Sequence, residues 1–247
     1  PTGVTDIFAR VTGGNPSSIF GRLGVLGTAN LFLLNPKGFL FGPNASLDLN
    51  GSLFVTSADR IRFADNSTFS AVHPEPAPLL TVSVPIGLGF GPNAGRIEIQ
   101  GQGYQFKFPG IFLPIDRSNS PPGLLLQSGR NVAILGGDIL LNGGVITAPS
   151  GNIALGSVRG GFVGLNPNGT LDYSGISNFG FIETRSAAAL DASGIGGGSI
   201  HLQAGNIQLG QSTLIIQNFG VQPAGNISLN ATNTIVVEEN SGNIRNE

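Results

Sequence analysis

The chain has 247 residues, with 12 Lys and Arg against 14 Asp and Glu, a net charge of −2 that is scattered along its length. That balance leaves no electrostatic footprint for nucleic acid or for an anionic membrane surface. Hydrophobic residues at 40% and a mean hydropathy of +0.21 argue against disorder, while 39 Gly and 16 Pro demand many turns and no apolar run approaches the ~18 residues of a membrane-spanning helix.

Cysteine is absent, which suits a cytosolic protein and equally a chain that crosses an oxidising periplasm unfolded. Methionine is absent as well, so the sequence reads as a fragment or a processed form. Its first strong feature is LFLLNPKGFLFGPNASL, Leu31 to Leu47. Seven of the eight residues flanking Asn35-Pro36-Lys37-Gly38 are Leu or Phe. Pro36 presets the first central position of a β-turn, Asn35 caps it and Gly38 closes it. Apolar residues at successive positions on both sides imply strands buried on both faces, which in a stacked-coil fold requires a cover outside the stack.

Downstream, His73-Pro74-Glu75-Pro76-Ala77-Pro78, within Val72 to Pro85, predicts an extended, polyproline-like excursion. Phe41-Gly-Pro-Asn-Ala recurs at Phe90, 49 residues on. Tyr104 to Gly123 begins with an alternation suited to a small hairpin outside the main fold and ends as a loop. Thr184 to Ala192, TRSAAALDA, is the best helix candidate, and a loop followed by a strand is the preferred reading. Five segments share a pattern of Gly, polar, apolar, polar, apolar: Gly95-Arg-Ile, Gly151-Asn-Ile, Gly198-Ser-Ile, Gly205-Asn-Ile and Gly225-Asn-Ile, with a fainter echo at Gly242-Asn-Ile. Such alternation turns one face of a strand inward. Repetition at intervals of ~20 residues, or roughly twice that, points to a solenoid. The expected fold is therefore all-β: a right-handed parallel β-helix with small extra-helical insertions, its ~20–25-residue coils numbering roughly ten to twelve. No domain boundary is visible, so residues 1–247 read as a single domain.

Catalytic chemistry is sparse. The acidic residues are mostly isolated, and Glu238-Glu239 is the one adjacent pair. Asp48, Asp59 and Asp138 remain open as a cluster of the kind a β-helical polysaccharide hydrolase or lyase needs. His73 and His201 read as solvated, His201 in the outward slot of a strand. Gly87-Leu-Gly-Phe-Gly91 lacks the Lys and the following helix of a phosphate loop. Six Asn-x-Ser/Thr sequons, at Asn44, Asn50, Asn66, Asn168, Asn226 and Asn230, read as coincidence in a chain rich in these residues. The sequence thus reads as non-enzymatic, with no cofactor and no metal.

One resemblance adds to this. Ala9-Arg-Val-Thr-Gly-Gly-Asn-Pro-Ser-Ser-Ile19, Gly24 to Asn30, the turn Asn35 to Phe39 and Ala45 to Asp59 together resemble the haemagglutination-activity, or two-partner-secretion, domain of filamentous-haemagglutinin-like exoproteins of Gram-negative bacteria. That family's turn reads Asn-Pro-Asn-Gly-Ile. Asn35, Pro36 and Gly38 match it, Lys37 stands for the Asn and Phe39 for the Ile. Asn166 to Gly169 matches the four letters but lacks the apolar context, and reads as an ordinary bend. The resemblance implies an N-terminal fragment of a large surface exoprotein or adhesin exported by type V secretion. Its role would be secretion targeting and folding nucleation, with Asn35, Pro36, Lys37, Gly38 and Phe39 as the secretion motif. The implied partner is an outer-membrane transporter barrel with periplasmic docking repeats, and the implied destination is the cell surface or medium, by way of periplasm and outer membrane. Host or neighbouring-cell glycans or proteins would be contacted through the rest of the exoprotein. The alternative is a glycan-binding or carbohydrate-active β-helix module.

Overall fold

Strands of three to six residues cannot hold themselves together. Here each gains partners because the chain returns and lays another strand parallel to it. The computed structural model describes residues 3–75, 83–107, 109, 113–167, 169–238 and 242–246. The first coil comprises β1 (Asp6–Arg10), β2 (Ser17–Ile19) and β3 (Arg22–Gly24), and the second β4 (Asn30–Leu34), β5 (Phe39–Phe41) and β6 (Ser46–Asp48). The third starts with β7 (Leu53–Thr56), detours through β8 (Arg60–Phe63), β9 (Thr68–Ser70) and β10 (Pro85–Phe90), and resumes with β11 (Ile97–Gln100) and β12 (Leu124–Leu125). The fourth holds β13 (Val132–Gly136), β14 (Ile139–Asn142) and β15 (Val145–Thr147). The fifth runs from β16 (Asn152–Ser157) through a detour, β17 (Gly161–Leu165) and β18 (Leu171–Gly175), to β19 (Phe181–Arg185) and β20 (Ala188–Asp191). In the sixth, β21 (Ser199–Leu209) bends across two faces before β22 (Ser212–Ile216), and β23 (Ile227–Val237) and β24 (Gly242–Asn246) repeat this in the seventh.

Three faces result. The first stacks β1, β4, β7, β13, β16 and the first halves of β21 and β23, all parallel. The second stacks β2, β5, β11, β14, β19 and the second halves of β21 and β23. The third carries the pair β3–β6 and the ladder β12–β15–β20–β22–β24. Inward residues align from coil to coil: Leu31, Leu53, Val132, Ile153 and Ile200 on the first face, Phe39, Ile97, Ile139, Ile182 and Ile207 on the second. They form one continuous core. Among the described residues there is no helix, and the stack has seven coils rather than ten to twelve. The period itself holds, since Leu31 returns as Leu53 and Val132 as Ile153. Detours consume the remaining length.

The detours answer why Leu31 to Leu34 is apolar throughout. β8, β9, β10, β17 and β18 form a five-stranded antiparallel sheet, in the order β18-β17-β10-β8-β9. Outward residues of the first face, Phe32, Leu34, Ala133 and Leu135, pack with Ile61, Phe63, Leu88, Phe90 and Val163 of this sheet in a second core. The expected cover therefore exists, and Gly87 to Gly91 lies largely within its central strand. The insertion between β11 and β12 lies on the outer side of the third face, where Tyr104 packs on Val145 and Ala189. Among the described residues, its hairpin character amounts to one antiparallel bridge, Lys107 with Asp116.

Thr184 to Ala192 is strand, corner and strand. Ser186 and Ala187 both sit at φ 57°, a left-handed pair that turns the chain from β19 to β20 and excludes a helix. The proline excursion lies in part at 76–82, outside the described residues. Asn166 and Gly169 do close a hairpin turn between β17 and β18, by Gly169 N–H donating to the Asn166 carbonyl at 2.9 Å, while Asn168 lies outside the described residues.

Candidate functional site

The five residues Asn35 to Phe39 make the corner where the second coil passes from first face to second. Asn35 is fully buried (0% exposed) and spends its carboxamide completely. Its Oδ1 accepts from Lys37 N at 2.9 Å, the Asx-turn that Asn favours. Its Nδ2 donates to Ser17 Oγ at 2.9 Å and to the Asn15 carbonyl at 3.1 Å, both in the first coil. Gly38 N donates to the Asn35 carbonyl at 2.9 Å, closing the β-turn. The corner is also bonded onward: Asn35 N donates to Thr56 O, and Gly95 N to Pro36 O, at 3.0 and 2.8 Å. Ser17 N donates to Gly38 O, and Phe39 N to Arg96 O. One corner thus ties three coils.

Two glycines make the stacking possible. Gly38 has φ +95°, and a Cβ there would lie 1.9 Å from the Arg96 carbonyl oxygen. Gly95 on the next coil has no more room, its Cβ position being 2.1 Å from the Lys37 carbonyl carbon. Pro36 and Phe39 are buried, Phe39 in the inner core. Lys37 alone of the five is exposed. The structure therefore brings the five predicted residues together, four of them inside and one facing solvent. It also explains the upstream segment around Asn15 and Ser17: that stretch supplies the acceptors for Asn35.

Other candidates separate. Asp48 on β6 pairs with Arg22 at 3.1 Å. Asp138, at the corner before β14, accepts from Arg159 at 2.7 and 2.8 Å and from Phe181 N. Among the described residues no three His, Cys, Asp or Glu gather to hold a metal, and no buried side-chain polar atom lacks a partner. His201 lies outward and exposed on β21, in register with Ala154. A cavity of about 170 Å³ lies beside Phe41, Pro43, Gln100, Pro121 and Pro122, smaller than the ~300–1,000 Å³ usual for small-molecule sites.

A buried polar cluster on the third face escaped the sequence reading. Asp191, 2% exposed, accepts from Tyr104 Oη and from Arg117 Nε through the same oxygen, each at 2.8 Å. Arg117 also donates to Ser193 Oγ at 2.9 Å and to Gln217 Oε1 at 3.1 Å. Burial, with the Asp191 carboxylate adding to it, pushes the Tyr104 hydroxyl well above its ordinary pKa of 10.0. Burial between the antiparallel sheet, to which its own strand β18 belongs, and the first face does the same to Tyr173. For Arg117, burial is the largest influence and opposes the charge, but Asp191 and Tyr104 together outweigh it and raise the guanidinium. An acid whose pKa rises on folding stabilises the fold fully below its unfolded value and progressively less above it. Stability is therefore expected to fall as pH climbs past about 10, the unperturbed tyrosine value. Tyr104→Phe with Tyr173→Phe should remove most of that slope in thermal midpoints taken from about pH 8 to about pH 11.5, a span that brackets the unperturbed tyrosine value. An unchanged slope in the double variant would contradict the assignment.

Compared with known proteins, no curated protein and no solved structure matches the chain. One family does: the TPS secretion domain, over residues 1–202. The match covers both the Asn35 corner and Asp191. The chain belongs to the TPS secretion-domain family, the targeting domains of two-partner secretion.

Proposed function

We propose that this domain is the secretion address and folding nucleus of a large surface exoprotein, an adhesin, read by an outer-membrane transporter barrel through periplasmic docking repeats. Family membership implies secretion targeting, a partner transporter and a secreted exoprotein of Gram-negative bacteria. The unfolded chain is recognised, threads through the barrel and winds outside into a right-handed β-helix, residues 1–247 acting as one unit. β22 to β24, beyond the matched span, continue the same ladders, which supports that unity. The route runs through periplasm and outer membrane.

The observation that carries this reading is the burial of Asn35, Pro36, Gly38 and Phe39. Side chains enclosed in the folded corner are available to a partner only before folding, when Leu31 to Phe41 is an extended apolar segment suited to strand addition. Once folded they hold three coils, as a nucleus would, and a solenoid can then grow coil by coil. The test is secretion of a reporter fused to this domain, with and without the barrel encoded beside it. Export is expected only with the barrel. The double variant Asn35→Ala, Pro36→Ala loses three side-chain hydrogen bonds at a buried site, a cost of about 3 kcal/mol. If half of this is felt in the folding transition state, folding outside slows by about tenfold, and secretion with it. Lys37→Asn, at the exposed position, should be secreted normally. Unchanged secretion of the double variant, with its fold intact, sinks the motif assignment.

A further inference from the structure

The insertion between β11 and β12 leaves and rejoins the stack at the third coil, yet its anchors lie two and three coils further on. Tyr104 and Arg117 bind Asp191 at the end of β20, in the fifth coil. Arg117 and the Ile115 amide bind Gln217, just past β22 in the sixth, at 3.1 and 3.2 Å. These pairs are separated by 74 to 102 residues. Every ladder contact of the stack itself joins a coil to its neighbour. The antiparallel sheet makes a similar jump: β10, from the detour of the third coil, pairs with β17, from the detour of the fifth.

We propose that the two arms of this insertion, around Tyr104 and around Ile115 to Arg117, form a latch that closes only after the sixth coil has stacked, joining coils three to six into one cooperative unit. The reasons are energetic. Closing so long a loop in an unfolded chain costs entropy that a few polar contacts do not return. After stacking, Val145 and Ala189 already form the floor for the Tyr104 ring, and Asp191 and Gln217 are already held side by side through Ser193 and the β20–β22 ladder. Before Asp191 is in place, burying Arg117 would leave its charge unpaired. A row of coils that depends on nearest neighbours can unzip from either end, and a clasp across four of them suppresses that. The latch operates in the isolated chain, with no transporter, so it stands or falls separately from the secretion reading.

The chain has two tyrosines and no tryptophan. In a Tyr173→Phe background, Tyr104 fluorescence therefore reports the latch, while far-UV circular dichroism reports the stack. On refolding the full chain from urea, the dichroism should recover first and the fluorescence in a separate, slower phase. Arg117→Gln should slow the second phase by about tenfold or remove it, since it takes away a charge-assisted pair, and leave the first phase unchanged. In the folded variant, trypsin should cut at Lys107, a site resistant in the parent. Recovery of both signals at one rate in the parent overturns the proposal, as does equal slowing of both phases in the variant. If Arg117→Gln fails to fold, Gln217→Ala removes a smaller part of the anchor and is read by the same two signals.

Discussion

Gly38→Ala is expected to be among the most damaging single-methyl additions in the protein. The residue sits at φ +95°, where an L side chain is strained by about 1–2 kcal/mol. The larger cost is steric. The new methyl would fall 1.9 Å from the Arg96 carbonyl oxygen, and that is backbone, already accepting from Phe39 N at 3.1 Å. Relief requires the second and third coils to part at the corner, breaking the bonds from Gly95 N to Pro36 O and from Phe39 N to Arg96 O. Strain and lost hydrogen bonds together amount to about 4 kcal/mol. In urea titration the midpoint should drop sharply. Gly13→Ala, where nothing lies within 4 Å and φ is not positive, should change stability by less than about 0.5 kcal/mol. Equal midpoints for the two variants would mean that close stacking at this corner does not matter.

That contrast also indicates what a sequence can reveal about such a fold. The five Gly-x-Ile segments lead into strands or, at Gly205, into the second half of the bent strand β21, as their alternation implies, but they belong to two faces. Gly151, Gly198 and Gly225 precede first-face strands, whereas Gly95 and Gly205 lead into the second face. The interval from Gly205 to Gly225 therefore compares unlike positions, and although its length is close to the true period, the expected coil number was too high because the detours spend length outside the stack. The two Phe-Gly-Pro-Asn-Ala phrases share local turn chemistry, yet Phe41 lies in the inner core and Phe90 in the outer one. Local turns are legible because Pro, Asn and Gly act within a few bonds of themselves. The Asn35 corner was legible for the same reason, although its tie to Asn15 and Ser17 was not. The Tyr104–Asp191–Arg117 cluster left no signal, because nothing in the neighbourhood of residue 117 marks a partner 74 residues away. Even the alanines at 188 and 189 misdirect. They suggest helix by propensity, while the structure uses the small outward side chain of Ala189 to admit the Tyr104 ring.

Phe32→Ala should destabilise the protein by about 3–5 kcal/mol, the range for truncating a buried Phe. Its ring stacks on Phe54 with centroids 4.2 Å apart and planes 2° from parallel, and meets Phe8 at 4.7 Å. All three are outward positions of the first face, paired in register Phe8 to Phe32 to Phe54. The row is held under the antiparallel sheet, where Phe8 also meets Phe63 edge-on at 5.2 Å and Arg10 lies 4.5 Å over Phe69. Removing the central ring opens a void between stack and cover, so the loss includes cavity as well as transfer energy. The matching outward position on the other side of the turn is Leu40, half-buried on the second face and in register with Ser18 and Glu98. Leu40→Ser should cost only about 1 kcal/mol, because little apolar area is lost from contact. The apolar run on either side of Asn35 to Gly38 thus has two different causes, a covered face before the turn and a half-exposed one after it. Chemical denaturation of the two variants separates them: a comparable loss in both would mean that the sheet of detours does not bury the first face, and the continuous hydrophobicity of Leu31 to Leu34 would need another explanation.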